Sequence, residues 1–125
     1  MSIGRDRERA RDHARGRVAS ACRHPLPVRL PDEDEAAMRR VRESYDAYQH
    51  ATAASRHRTL VTDRLVDLMA LAGTPDDVAA QVARLRGVVG LGRVIAFPQA
   101  PGAGFGAREE ILTMFAEAVL TRDAQ

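Results

Sequence analysis

The stretch from Asp67 to Pro98, DLMALAGTPDDVAAQVARLRGVVGLGRVIAFP, constrains the fold more than any other part of the chain. It opens with a brief apolar run, Leu68 to Ala72, which reads as a short buried strand. Gly73 releases the backbone, Thr74 is placed to cap a helix, and Pro75 suits the first helical position, where no backbone N–H is needed. Asp77 follows Thr74 at the spacing of a reciprocal capping box, with Asp in place of the commoner Glu. Asp76 and Asp77 also put negative charge at the positive end of the helix dipole. Val78, Val82, Leu85 and Val89 then share one helical face, and Gly87, Gly90 and Gly92 end the pattern. Arg93 to Phe97 is rich in strand formers and closes at Pro98. Together these predict a βαβ crossover: parallel neighbouring strands at 68–72 and 93–97, with a helix over 75–87 packed across them through Val78, Val82 and Leu85. Truncating Leu85 to Ala is then expected to cost on the order of 2–5 kcal/mol.

A chain of 125 residues, 45% hydrophobic and 29% charged, suits one globular domain. No apolar run approaches the roughly 20 residues that span a bilayer. The N-terminal segment has no apolar core for a secretory signal, and its acids Asp6, Glu8 and Asp12 do not suit a transit peptide. The expected location is therefore the cytoplasm, with no membrane partner. The single cysteine, Cys22, excludes an internal disulfide and reads as a small buried apolar group.

All 19 basic residues are arginine, and with 22 alanines this points to codon usage in a GC-rich genome. Charge is uneven: residues 1–30 carry a net +5 and residues 31–125 a net −3. Residues 5–22 fit an amphipathic helix with a small-residue stripe of Ala10, Ala14, Val18 and Ala21. Acids interrupt its arginines and no aromatic residue is available for stacking, so the run reads as a solvated helix face rather than a nucleic-acid patch. Pro25, Pro27 and Pro31 make 23–35 a loop. Asp32 to Glu35 open a second helix, with a seam of Met38, Val41, Tyr45 and Tyr48 reaching to about Ala54. His50 and His57 lack the further ligands a metal site needs. Thr62 to Asp67 is a capped helical turn.

After the second expected strand, residues 99–107 (QAPGAGFGA) are glycine-rich, but fit neither the dinucleotide nor the P-loop spacing. The segment reads as a flexible connector, with a phosphate-facing loop as the functional alternative, in which Gln99, Gly102, Gly104 and Gly106 are the candidate cofactor-binding residues. A last helix is expected from about Arg108, with Glu109 and Glu110 in its first turn and an apolar face of Ile111, Leu112, Phe115 and Val119. No catalytic or metal-ligating set is legible.

Several of these segments resemble one known family. Thr62 to Asp67 (TDRLVD), Ala70 to Val78 (ALAGTPDDV), Gly90 to Ile95 (GLGRVI) and Phe115 to Leu120 (FAEAVL) are similar to the closing part of the luciferase-like flavin-dependent oxidoreductases. That family includes bacterial luciferase, alkane sulfonate monooxygenases and deazaflavin-dependent reductases. Arg5 to Ala21 also resembles the helix that follows a DR-x-x-A sequence in such proteins, while Gly92 stands where an Asp is usual. The resemblance implies an α/β fold, as a partial (β/α)₈ TIM barrel. Its last two β-α units would fill 62–125, after a helical segment at 1–61 containing the 23–35 loop.

It further implies FMN or a deazaflavin as cofactor of the complete barrel, with a small-molecule substrate. Because the expected cofactor-facing strands have no counterpart here, the chain alone is expected to be inactive. Two unpaired strand edges imply self-association or a partner chain. A standalone α/β interaction module that completes a barrel with a partner chain is the alternative. A nucleic-acid-binding helical module is a third reading, which would require strongly salt-dependent binding.

Overall fold

The computed structural model describes residues 1–46, 48, 56–88 and 93–121. The fold is α/β, with two very short parallel strands among helices. Strand β1 is Ser2–Ile3 and β2 is Ala72–Gly73, paired Ser2 with Ala72 and Ile3 with Gly73. Between them come helices α1 (Arg7–Ala21), α2 (Asp32–Glu43) and α3 (Asp63–Met69), with a 3₁₀ turn at Arg56–Leu60. After β2 come α4 (Pro75–Val88), α5 (Phe105–Phe115) and a π-helical turn at Ala116–Leu120. No described helix is long and apolar enough to cross a membrane.

The strand arrangement corrects the expectation. Leu68 and Met69 belong to α3, so the first strand is only the end of the apolar run, and its partner is β1. Residues 93–97 form no strand. Main-chain pairing starts at their end instead. The Met1 amine donates to the Phe97 carbonyl at 2.7 Å, and the Gln99 N–H donates to the Met1 carbonyl at 2.8 Å. That alternating reach is the pattern of a parallel ladder. On its other side β1 donates from Ser2 N–H to Leu71 O and from Gly4 N–H to Gly73 O. The two expected strands are therefore not direct neighbours, because β1 stands between β2 and the 97–99 segment. Pro98 fits there because its missing N–H lies between the two groups that reach Met1.

Each helix has a local cause. Asp6 caps α1 by accepting from Arg9 N–H, and Thr62 caps α3 by accepting from Leu65 N–H. Thr74 and Asp77 close the expected capping box in both directions. Thr74 N–H donates to the Asp77 carboxylate at 2.9 Å and Asp77 N–H donates to the Thr74 hydroxyl at 3.3 Å. Gly73 makes the preceding turn at φ +139°, and a Cβ there would lie 2.7 Å from an Asp77 oxygen. Gln81, one turn further on, holds the free edge of β2 through its carboxamide. Its oxygen accepts from Ala72 N–H at 3.0 Å and its nitrogen donates to Ala72 O at 3.1 Å. One of the edges expected to be unpaired is thus covered by the chain's own side chain.

Two apolar clusters lie on either side of α1 and β1. One gathers Ala14, Val18 and Cys22 of α1, Met38 and Val41 of α2, and Leu65 and Val66 of α3. The other joins Ile3 of β1, Val78 and Val82 of α4, Ile111 of α5 and Val119 of the π turn. The arginines of α1 tie these parts together from outside. Arg7 pairs with Asp77 of α4, Arg11 with Asp67 of α3, and Arg15 with Asp63 and the Val61 carbonyl. In the helical half, Asp34 is buried and both its oxygens accept from Arg64 Nε, joining α2 to α3.

Several face assignments change. Leu85 is 42% exposed, because α5 and the π turn cover only the Val78–Val82 side of α4. Ala21 and Leu112 are exposed. Within the described residues α2 ends at Glu43, and Tyr48 is 98% exposed, so the seam stops at Tyr45. Tyr45 stacks on His57, ring centroids 4.6 Å apart. The expected continuation toward Ala54, His50, Val89 and the glycines at 90 and 92 fall outside the described residues. Helix α5 starts at Phe105, earlier than expected, which moves Glu109 and Glu110 into its second turn.

Candidate functional site

A cleft of about 620 Å³ opens between one face of α1 and the segment 97–103, with Arg58 and Arg108 also in its wall. From α1 come His13, Gly16, Arg17 and Ser20, at the i, i+3, i+4, i+7 spacing of one helical face. Gly16 is buried in this wall. The opposite wall is the chain leaving the Met1 ladder: Phe97, Pro98, Gln99, Ala100, Pro101 and Gly102. Gly102 turns at φ +73°, a conformation that favours glycine.

Among the described residues no acidic side chain lines this cleft. Arg58, 4% exposed, is anchored by the Asp12 carboxylate at 2.9 Å and the Asp12 carbonyl at 2.7 Å. Its charge is therefore fixed in place and largely balanced. Arg17 and Arg108 are exposed and make no ion pair among the described residues. Burial, with Arg9 and Arg58 nearby, holds the His13 imidazole below its ordinary value of 6.5, and Asp12 pulls the other way. At neutral pH His13 is thus mainly uncharged, with one ring nitrogen able to donate and the other to accept.

Two of the four loop residues singled out from sequence, Gln99 and Gly102, line the cleft. Gln99 N–H is used on Met1, while its side chain lies 3.5 Å from the Phe97 carbonyl. Gly104 is the N-cap of α5 and Gly106 lies in its first turn, and neither lines the cleft. The structure thus joins half of the glycine-rich loop to cations that sequence reasoning had passed over. For His13 and Arg17 a signal existed in their shared helical face. Arg58 and Arg108 arrive from distant parts of the chain and carried none. Among the described residues no group of three His, Cys, Asp or Glu is placed to hold a metal ion. Cys22 is fully buried, and burial raises its thiol above the usual value, opposed by Arg42, which suits a packing role.

The cleft offers cations, amide and hydroxyl donors and one aromatic face, Phe97, which is 65% exposed. Chemically this is equipment for holding an anion. Among the described residues it includes no carboxylate beside a nucleophile and no paired acid and base. Comparison of the chain with protein-family models, with curated proteins and with solved structures returns no match.

Proposed function

We propose that the chain is the C-terminal portion of a luciferase-like flavin- or deazaflavin-dependent oxidoreductase or monooxygenase, inactive on its own. The observation that carries this reading is the Gly73–Asp77 turn, where the family-like GTPDD sequence acts as a strand exit, a capping box and a helix start. In a complete barrel, Ala72–Gly73 and the 97–99 segment would belong to neighbouring parallel strands, which requires β1, paired between them in this chain, to lie elsewhere. The loop from Pro98 to Gly106 would then stand at the carboxyl end of a strand, the face on which barrel active sites lie.

The residues present do not by themselves fit the flavin ring system. A tricyclic ring needs an enclosed apolar slot, and the cleft presents a single exposed aromatic beside polar α1 side chains. Reduced flavin chemistry therefore belongs to the whole barrel. The test is expression of the chain alone, with its absorbance spectrum and fluorescence titrations with FMN and a deazaflavin. The expected protein is colourless and binds either cofactor no more tightly than about millimolar. A micromolar dissociation constant would place a full cofactor site within these residues and overturn the fragment reading.

The second reading is an α/β module that completes a barrel with a partner chain. It is favoured by Val94, Ile95 and Phe97, which are 40%, 73% and 65% exposed on a segment whose pairing begins only at its end. Sedimentation at micromolar concentration separates the two-chain form from a monomer.

A further inference from the structure

Arg17 and Arg108, both in the wall of the basic cleft, make no ion pair among the described residues. Elsewhere on α1 the arginines that face the protein, Arg7, Arg11 and Arg15, each meet an aspartate. Arg17, on the same helix, faces a cleft with no acid among the described residues. Arg58 in the same wall is held rigidly by Asp12. Cations gathered in a partly enclosed space repel one another and focus a positive potential there. Burial opposes protonation of His13, and Arg9 and Arg58 add to it while Asp12 pulls the other way. An anion that accepts hydrogen bonds from several donors at once relieves that repulsion.

We propose that this cleft binds the phosphate group of a small phosphorylated molecule, with Arg17 and Arg108 as its principal ligands and Arg58 and His13 as the fixed wall behind them. Phosphate fits better than a carboxylate because the donors come from three directions: α1, the 3₁₀ turn and the first turn of α5. A phosphate dianion presents three peripheral oxygens to such a set, and guanidinium forks match them in pairs. A carboxylate presents its two oxygens in one plane. Phe97, Pro98 and Pro101 give the rest of the ligand an apolar surface to lie on. The proposal stands apart from the barrel reading, since every residue it uses is within the described chain.

The experiment is a titration of the full chain with inorganic phosphate, followed by ³¹P NMR line shape and calorimetry, and repeated with phenyl phosphate. Acetate and chloride at equal ionic strength are the competitors. Arg17→Gln and Arg108→Gln change exposed side chains without ion-pair partners among the described residues, so they leave the fold intact, which circular dichroism checks. Arg84→Gln, on the exposed face of α4 and outside the cleft, is the control for general surface charge. Saturable phosphate binding is expected, weakened about tenfold or more by either cleft variant and less than about twofold by Arg84→Gln. Phenyl phosphate is expected to bind at least as well as phosphate. Three results overturn the proposal: no saturable binding, equal competition by acetate, or equal weakening by Arg84→Gln. Because neither probe contains a flavin, a negative result here and a failure of the oxidoreductase reading are separate outcomes.

Discussion

Leu65→Ala is the substitution that tests the packing described above. Leu65 is fully buried in the cluster formed by α1, α2 and α3. Its neighbours there include Val18, Val41, Val61 and Val66, whose β-branched side chains have few alternative rotamers with which to fill a void. The cost therefore combines the lost transfer free energy of the removed atoms, about 2 kcal/mol, with a cavity term. That term is about 24 cal/mol for each Å³ left open. With little collapse the total is about 3–5 kcal/mol. Leu85→Ala provides the internal contrast. With 42% of that residue exposed, less area leaves water on folding and no closed cavity forms. Alanine also has the better helix propensity, so the cost is about 1 kcal/mol or less. Urea unfolding followed by far-ultraviolet circular dichroism measures both, and the midpoints should separate widely at unchanged slope. Equal costs for the two variants, or a Leu65→Ala cost below about 1 kcal/mol, would refute the assignment of the core.

Three further outcomes are expected. Thr74→Ala and Asp77→Ala should each destabilise by about 1 kcal/mol, and the double variant by less than their sum, since each change removes one backbone capping bond and both remove the hydroxyl–carboxylate bond the two side chains share. Cys22, fully buried with a raised thiol, should react with a disulfide reagent only after unfolding, and rapid modification of folded protein would contradict its placement. For His13, the folded value lies below the unfolded 6.5, so the unfolded chain takes up its proton first as pH falls. Its contribution to stability is full above about 6.5 and declines as pH falls through the window below it. Stability measured from pH 8 to 5 in phosphate-free buffer should slope less in His13→Asn than in the native chain.

What the sequence revealed divides by range. The Thr74–Asp77 box was legible because every group in it lies within a few residues, and the same holds for the start of α2 after Pro31. The apolar run Leu68 to Ala72 was misread because so short a run does not distinguish a buried strand from the end of a helix. Thr62 caps a helix that simply continues through Met69. Strand β1 was not read at all. Two residues carry no alternation, and the partner that makes Ser2 and Ile3 a strand lies far along the chain. Leu85 has the right spacing for the core face of α4, but helical phase does not say how far the covering elements extend. The site followed the same division. Gln99 and Gly102 were found through their loop, whereas the charge that gives the cleft its chemistry is assembled only by folding.

The row of arginines along α1 has a consequence for the alkaline side of the stability curve. Arg7, Arg11 and Arg15 fasten the first helix to α4 and α3, and no lysine exists in the chain to share that task. Lysine loses its proton near pH 10.4, whereas a guanidinium keeps its charge beyond about 12. The hydrogen bond that Arg11 donates to the Asp67 carboxylate holds it still more firmly protonated. These fastenings therefore keep their charge through a pH range in which lysine-built equivalents would fall slack. A genome that spells its cations as arginine has given this helix ties indifferent to alkali.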